Sequence, residues 1–294
     1  MEGYHKSVLL REVMDALNIR DAWYLDATLG DGGHSIEIIK RGGRIIGLDV
    51  DPQALLRVQK RFEEEGIGKE KYRLVQGNFR DIQNLINQQT ESEIKFAGAI
   101  FDLGVSSLQL MSPEKGFSFI KNGPLDMRMD PTLAIQAIDL VNNLSGKELY
   151  GLFKNLGEEK YSKRVADSIV SARKIRPFTT TLELAYLIER TIGKSGRIHP
   201  ATKVFQALRI FVNDELGALE EGLEQAVNLL EKNSLLIVIN FHSLEDRIAK
   251  TTFREWAELG SGEILTKKPI SPSEEEIMGN PRSRSAKMRI FKKL

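Results

Sequence analysis

The chain has 294 residues, 42 Lys and Arg against 41 Asp and Glu for a formal net charge of +1, four His and no Cys. With 41% apolar and 28% charged residues it reads as a soluble, folding chain, and no apolar run nears the ~18 residues that a membrane span needs. The missing Cys excludes disulfides, thiolate zinc sites, iron–sulfur clusters and a Cys nucleophile; the opening residues lack the basic-then-apolar order of a secretory leader, so a cytoplasmic protein is expected.

Residues 23–27 form a short apolar run that ends at Gly30-Asp31-Gly32-Gly33, and 35–40 then take helical spacing. A second buried strand is expected at 44–49, a helix at 52–65, a third strand at 73–76 followed by Asn78-Phe79, and a fourth at 96–101 closing on Asp102. Strands alternating with helices imply parallel βαβ units in a doubly wound sheet. The alternation stops near Gln109. Turn-rich sequence leads into helices at about 134–154, 161–175 and 181–192, the last opened by a Thr180/Glu183 capping box, and another from about Ala201. The sheet pattern returns at 235–241, the clearest buried strand, after which Ser243 with Asp246 is expected to cap a helix. The stretch 284–292 alternates weakly and reads as a last, edge strand. The expected organisation is one α/β domain from 1–108 and 210–294, interrupted by an all-helical insert at 109–209.

Division at those boundaries changes the meaning of the net charge. The insert holds 16 basic and 10 acidic residues, a net of +6, against 26 and 31 elsewhere. Stretch 160–176 carries six basic residues and one acid; 194–209 carries Lys194, Arg197, Lys203 and Arg209 with no acid; 280–294 carries six basic residues with no acid. Basic segments on an acidic body are the footprint of a polyanion partner, although solvated helix faces and a frayed tail have the same composition. The overall +1 is a cancellation and says nothing against RNA.

In an open parallel sheet, ligands bind beyond the carboxyl ends of the strands. Four strand ends here carry Asp26 with the glycine cluster, Asp49, Asn78-Phe79 and Asp102. Glycines let backbone approach a ligand closely, and a carboxylate 19 residues after Gly30 can accept from both ribose hydroxyls of an adenosine. Phe79 reads equally as an adenine platform or as a core residue at a strand end. The order G-D-G-G lacks the third glycine of the dinucleotide fingerprint, which disfavours a nicotinamide oxidoreductase.

Long motifs then carry a resemblance. They are the 5–10 segment HKSVLL, the 26–35 loop DATLGDGGHS, FDLGVSSLQL at 101–110, KGFSF at 115–119 and PLDMRMD at 124–130. RIHPATKVFQALRIFVN at 197–213, FHSLEDR at 241–247 and NPRSRSAKMR at 280–289 complete the set. Over nearly its whole length the chain resembles the RsmH (MraW) family of bacterial 16S rRNA (cytidine-N4) methyltransferases. Two departures stand out: Lys115 where the family has Arg, which loses a bidentate fork, and Asn240 where it has Ser. The resemblance implies a class I, Rossmann-like methyltransferase domain with an inserted helical domain. It implies S-adenosyl-L-methionine as cofactor, bound through Gly32, Gly33, His34, Asp49, Phe79, Asp102 and Gln109. The implied substrate is a cytidine in the decoding region of 16S rRNA, in the small ribosomal subunit.

The chemistry is consistent with the composition. Methylating cytosine C5 usually needs a Cys added to the ring, whereas methylating the exocyclic N4 does not. Asp102 is a candidate to accept from the amine or to orient the donor, and binding of the methionine moiety alone is an equal reading. His242, at the end of the 235–241 run, is a second catalytic candidate, with a structural role as the alternative. Arg164, Arg173, Lys174, Arg176, Arg197 and Lys203 are candidates for phosphate contacts. Four scattered His make no zinc spacing, so no metal is expected, and Asp126 and Asp130 around Arg128 read as an ion-paired loop. No membrane partner is expected, and monomer and homodimer both stay open. An RNA-binding factor without catalysis is the remaining alternative.

Overall fold

A computed structural model describes residue 4 and residues 6–89, 94–193 and 199–294. The chain divides into two compact units, Met1–Gly104 with Leu216–Leu294, and Val105–Glu215. The boundaries fall a few residues outside the expected insert on each side. They bring Asp214 and Glu215 into the helical unit, which then holds 16 basic and 12 acidic residues.

The first unit runs α1 Leu10–Leu17, β1 Trp23–Asp26, α2 Gly33–Lys40, β2 Arg44–Asp49, α3 Pro52–Glu64, β3 Tyr72–Gln76, α4 Ile82–Asn87 and β4 Phe96–Asp102. The helical unit follows with α5 Ser107–Met111, α6 Ala137–Asn143, α7 Gly146–Asn155, α8 Ser162–Arg173, α9 Thr181–Ile192 and α10 Thr202–Asn213. The chain then returns through α11 Glu215–Leu229, β5 Leu230–Asn240, α12 Ser243–Glu258, β6 Gly262–Ile264, α13 Glu274–Gly279 and β7 Lys287–Lys293.

The sheet has seven strands in the order β3-β2-β1-β4-β5-β7-β6. The first five are mutually parallel, β7 is antiparallel to β5, and β6 is antiparallel to β7. Buried strands covered on both faces read as continuous apolar runs, which is why β4 and β5 were legible. Alternate residues feed two cores. Leu236 and Val238 face one with Leu223, Ala249 and Phe253 of α11 and α12. Ile237 and Ile239 face the other with Val13, Ile38, Val58 and Phe62 of α1, α2 and α3. This is a doubly wound α/β sheet, as expected. One expectation is corrected: β7 is not the edge strand, because β6 pairs along its far side. Only three residues long, β6 offers no alternation to detect.

The helical unit has a core of its own, in which Leu149, Leu152 and Phe153 of α7, Val165, Ala166 and Ile169 of α8, and Leu184, Ala185 and Ile188 of α9 meet. Their three- and four-residue spacing is the inner face of an amphipathic helix. The helix expected over 134–154 is two helices. The break falls at Leu144, whose backbone is extended, and Ser145 opens α7 in a reciprocal capping box with Glu148. The Thr180/Glu183 box is present as read. Among the described residues, no helix is long and apolar enough to cross a membrane.

Candidate functional site

β1 ends at Asp26, which is 1% exposed. Its carboxylate accepts from the Ser35 hydroxyl at 2.7 Å and from the Thr28 N–H at 3.3 Å, so the two ends of the glycine loop are tied together. Burial pushes the Asp26 carboxyl above its usual range, against the pull of the Ser35 hydrogen bond. Thr28 also accepts the Asp102 N–H at 2.6 Å, which joins the loop to the end of β4.

Two glycines are required by geometry. Gly32 has φ +71° and precedes the first turn of α2; a Cβ there would sit 3.0 Å from Val58. A Cβ on Gly33 would sit 2.1 Å from the Ser7 hydroxyl. Both Cβ positions are taken up by the protein's own packing, so glycine lets the loop turn tightly into α2, whose first N–H groups are the kind that suit an anionic ligand group.

At the end of β2, Asp49 accepts the Gly30 N–H at 3.0 Å and the Asp51 N–H at 2.9 Å. Desolvation pushes its carboxyl up to about 7, while those two hydrogen bonds pull it down. Phe79 follows β3, with its ring edge-on to Phe101 at 5.5 Å between centroids. A Cβ on Gly222 would lie 2.8 Å from the Phe79 ring, so this close approach fixes one side of the ring.

His34 and Asp102 face each other, His34 Nε2 lying 3.5 Å from Asp102 Oδ2. His34 is 4% exposed. Burial disfavours the imidazolium, but the Asp102 carboxylate, with Asp26 and Glu276 further off, outweighs it and raises the pKa. Both ring nitrogens of His34 and Asp102 Oδ1 are buried without a hydrogen-bond partner. Orphaned polar atoms at a sheet's carboxyl end fit a ligand that brings its own donors and acceptors. So do the glycine turn into α2 and a carboxylate at the next strand end. Thr28, Ser35 and Asp51, which hold this cluster, went unread in the sequence. The signal was present, since hydroxyl and carboxylate residues within a few positions of a glycine turn commonly bond to its backbone.

Gln109 belongs to the helical unit, 5% exposed, with its carboxamide oxygen accepting the Ser106 N–H at 3.0 Å. His242, not Ser243, is the residue that caps α12: its Nδ1 accepts the Glu245 N–H at 3.4 Å, and the Glu245 carboxylate accepts the Phe241 and His242 N–H groups. The expected Ser243/Asp246 cap is corrected by one residue. Asp246 instead forms a bidentate pair with Arg289, at 2.7 and 3.2 Å. His242 Nδ1 is thus engaged in the cap, while its Nε2 is buried without a hydrogen-bond partner, 3.2 Å from Glu245 Oε1.

Of the phosphate candidates, Arg164, Lys174, Arg176 and Lys203 are exposed. Arg176 lies 3.2 Å from Glu183, and Lys203 donates to the Glu158 carbonyl at 2.8 Å. Arg173 is spent internally, its guanidinium donating to the Val141 and Leu144 carbonyls near the end of α6. Arg197 lies outside the described residues. The 126–130 loop is ion-paired as expected, with Arg128 bidentate on Asp126 at 2.7 and 2.9 Å.

The family model described as "MraW methylase family" matches residues 2–294. The Ribosomal RNA small subunit methyltransferase H of Persephonella marina is 46% identical over 297 residues, 99% of each chain. The protein of that name in Sulfurihydrogenibium sp. is 46% identical over 296 residues, again 99% of each. The one in Synechococcus sp. is 47% identical over 298 residues, 97% of this chain and 91% of that one.

Proposed function

This chain belongs to the MraW methylase family, and from that membership we propose that it methylates N4 of a cytidine in the decoding region of 16S rRNA, using S-adenosylmethionine. The observation that carries the reading is the orphaned His34–Asp102 pair beside the glycine loop, with Asp49 at the neighbouring strand end. Asp49 accepts from the ribose hydroxyls. The Gly32–Gly33 backbone lies along the cofactor, and Phe79 contacts its adenine. His34 and Asp102 serve the methionine end.

When bound, S-adenosylmethionine would supply a sulfonium methyl for in-line transfer to the amine, which gives up a proton as the thioether S-adenosylhomocysteine leaves, without a covalent enzyme–base intermediate. The protein's part is positioning and exclusion of water. Asp102 is suited to it. Its N–H is fixed by Thr28 and its Oδ2 lies 3.5 Å from His34 Nε2, while Oδ1 is left to accept from an amine or from the donor's ammonium. Arg164, Lys174, Arg176, Arg197 and Lys203 supply phosphate contacts. The target cytidine must leave its stack to reach such a site.

Nucleoside mass spectrometry tests this directly. Small subunits from a strain lacking the gene are incubated with the protein and S-adenosylmethionine. New N4-methylcytidine in 16S rRNA is the expected result; a methyl at C5, or none, overturns the reading. Asp102→Ala with normal turnover would remove Asp102 from the chemistry and leave it a binding residue.

A further inference from the structure

The outer face of the helical unit holds a groove of about 1050 Å³ along α7, α8 and part of α9. Its walls combine two features. The first is aromatic: Tyr150 and Tyr161 line it, Tyr161 is 42% exposed, and Ile175 at one end is 91% exposed. The second is cationic: Lys154 sits over the Tyr150 ring at 5.4 Å and Lys160 over the Tyr161 ring at 5.7 Å. Lys163 and Arg164 line the same groove and are exposed. Two acids oppose these four cations. Glu159 is 8% exposed and turned inward, accepting the Tyr161 N–H at 2.7 Å, which leaves Asp167 as the one exposed acid of the lining.

We propose that this groove binds a stretch of single-stranded RNA outside the target nucleotide. Bases stack on Tyr150 and Tyr161, and phosphates run along Lys154, Lys163 and Arg164. The inference rests on the RNA reading above and extends the contact proposed there at Arg164 to a groove with stacking rings. Charge decides the class of occupant, because four cations on mobile stems suit a polyanion. The rings decide its form. A duplex hides its base faces, while an unpaired strand offers each base to an aromatic ring, and such stacking tolerates any sequence. The lysines lie over rings that a base would take, and their flexible stems let the ammonium groups move to the flanking phosphates.

The test is fluorescence anisotropy of the full chain with a labelled single-stranded RNA, over a salt series, alongside methyl transfer to small subunits. Tyr161→Ala should weaken single-strand binding about fivefold or more, with the salt slope unchanged. Lys163→Ala with Arg164→Ala should lower the slope by roughly 1.4, about 0.7 for each lost contact on a single strand. Both sites are exposed, and circular dichroism and the unfolding midpoint should match those of the parent. Unchanged affinity and slope in both variants overturn the proposal. So does a loss that falls equally on a duplex of the same sequence, or a groove that binds an acidic peptide while RNA binding ignores the substitutions. If the parent methylates small subunits while the groove variants bind and methylate as it does, the groove assignment alone fails. If the parent methylates no RNA, the functional reading fails, and the anisotropy still decides the groove.

Discussion

Residues 160–176 and 280–294 each carry six basic residues, and in composition they look alike. Their fates differ. In the first, Lys160, Lys163, Arg164, Lys174 and Arg176 are exposed and only Arg173 turns inward. In the second, Arg289 is 6% exposed and forked onto Asp246, with Lys287 3.7 Å from the same carboxylate. Lys293 donates to the Asn228 and Leu230 carbonyls, and burial, with Lys95 nearby, lowers its pKa. The cause is periodicity. A surface helix turns one stripe inward, at Val165, Ala166 and Ile169, and leaves the rest in water. In β7 the residues Met288 to Phe291 are buried on both faces of the strand, so Arg289 is taken out of water and needs a partner. Charge counted along a sequence becomes charge available to RNA only after the period of the element is known.

The comparison can be broken at several points. The largest effect is expected from Arg289→Ala, which leaves Asp246 without its fork partner and should cost about 3–5 kcal/mol in urea unfolding. RNA affinity of the folded protein should stay within twofold; a parallel loss of affinity would put the tail in the RNA site after all. Next comes Arg173→Ala, which deprives two carbonyls of a charged donor and should cost about 1–3 kcal/mol, with the salt slope of RNA binding unchanged. Lys174→Ala, one residue further on and exposed, should do the reverse. Its stability should stay within about 0.5 kcal/mol, and its slope should fall by about 0.7.

A further effect is expected from pH, at Asp49. Its folded pKa of about 7 stands above the open-chain value of 3.8. Between those values the folded state therefore holds a proton that the unfolded chain releases. Asp49's contribution to stability is full below the lower value and declines as pH rises through about 7. Asp49→Asn should flatten that part of the stability curve. Cofactor affinity should run the other way in the parent, strengthening as pH climbs through 7 and the ribose acceptor ionises. A pH-independent affinity would detach Asp49 from the ribose.

Much of this was legible because it depends on local pattern. The runs of β1, β2, β4 and β5 are apolar, the first three end at a carboxylate, and the box at Thr180 announces α9. What escaped was competition between near-equal signals. At the start of α12 both His242/Glu245 and Ser243/Asp246 have capping spacing, and residue preference favours Ser. The sheet claims Asp246 for Arg289, a partner 43 residues away, and the cap moves to His242. Ser145 was visible too, but a continuous apolar period over 134–154 masked the break beside it. In the site, the strand-end carboxylates could be read from order along the chain. The pairing of His34 with Asp102 depends on β1 lying beside β4, a fact of topology that spacing does not encode.

The placement of β7 between β5 and β6 has a consequence for synthesis. β6 leaves the ribosome before the strand that must hold it, and at that stage β5 still presents a long bare edge. The helical unit is complete by then and able to fold on its own core, since domains generally fold as units from the N-terminal side. The sheet therefore closes last and from the inside, and a nascent chain paused before Lys287 carries an open strand edge and Asp246 with no Arg289 to fork onto it.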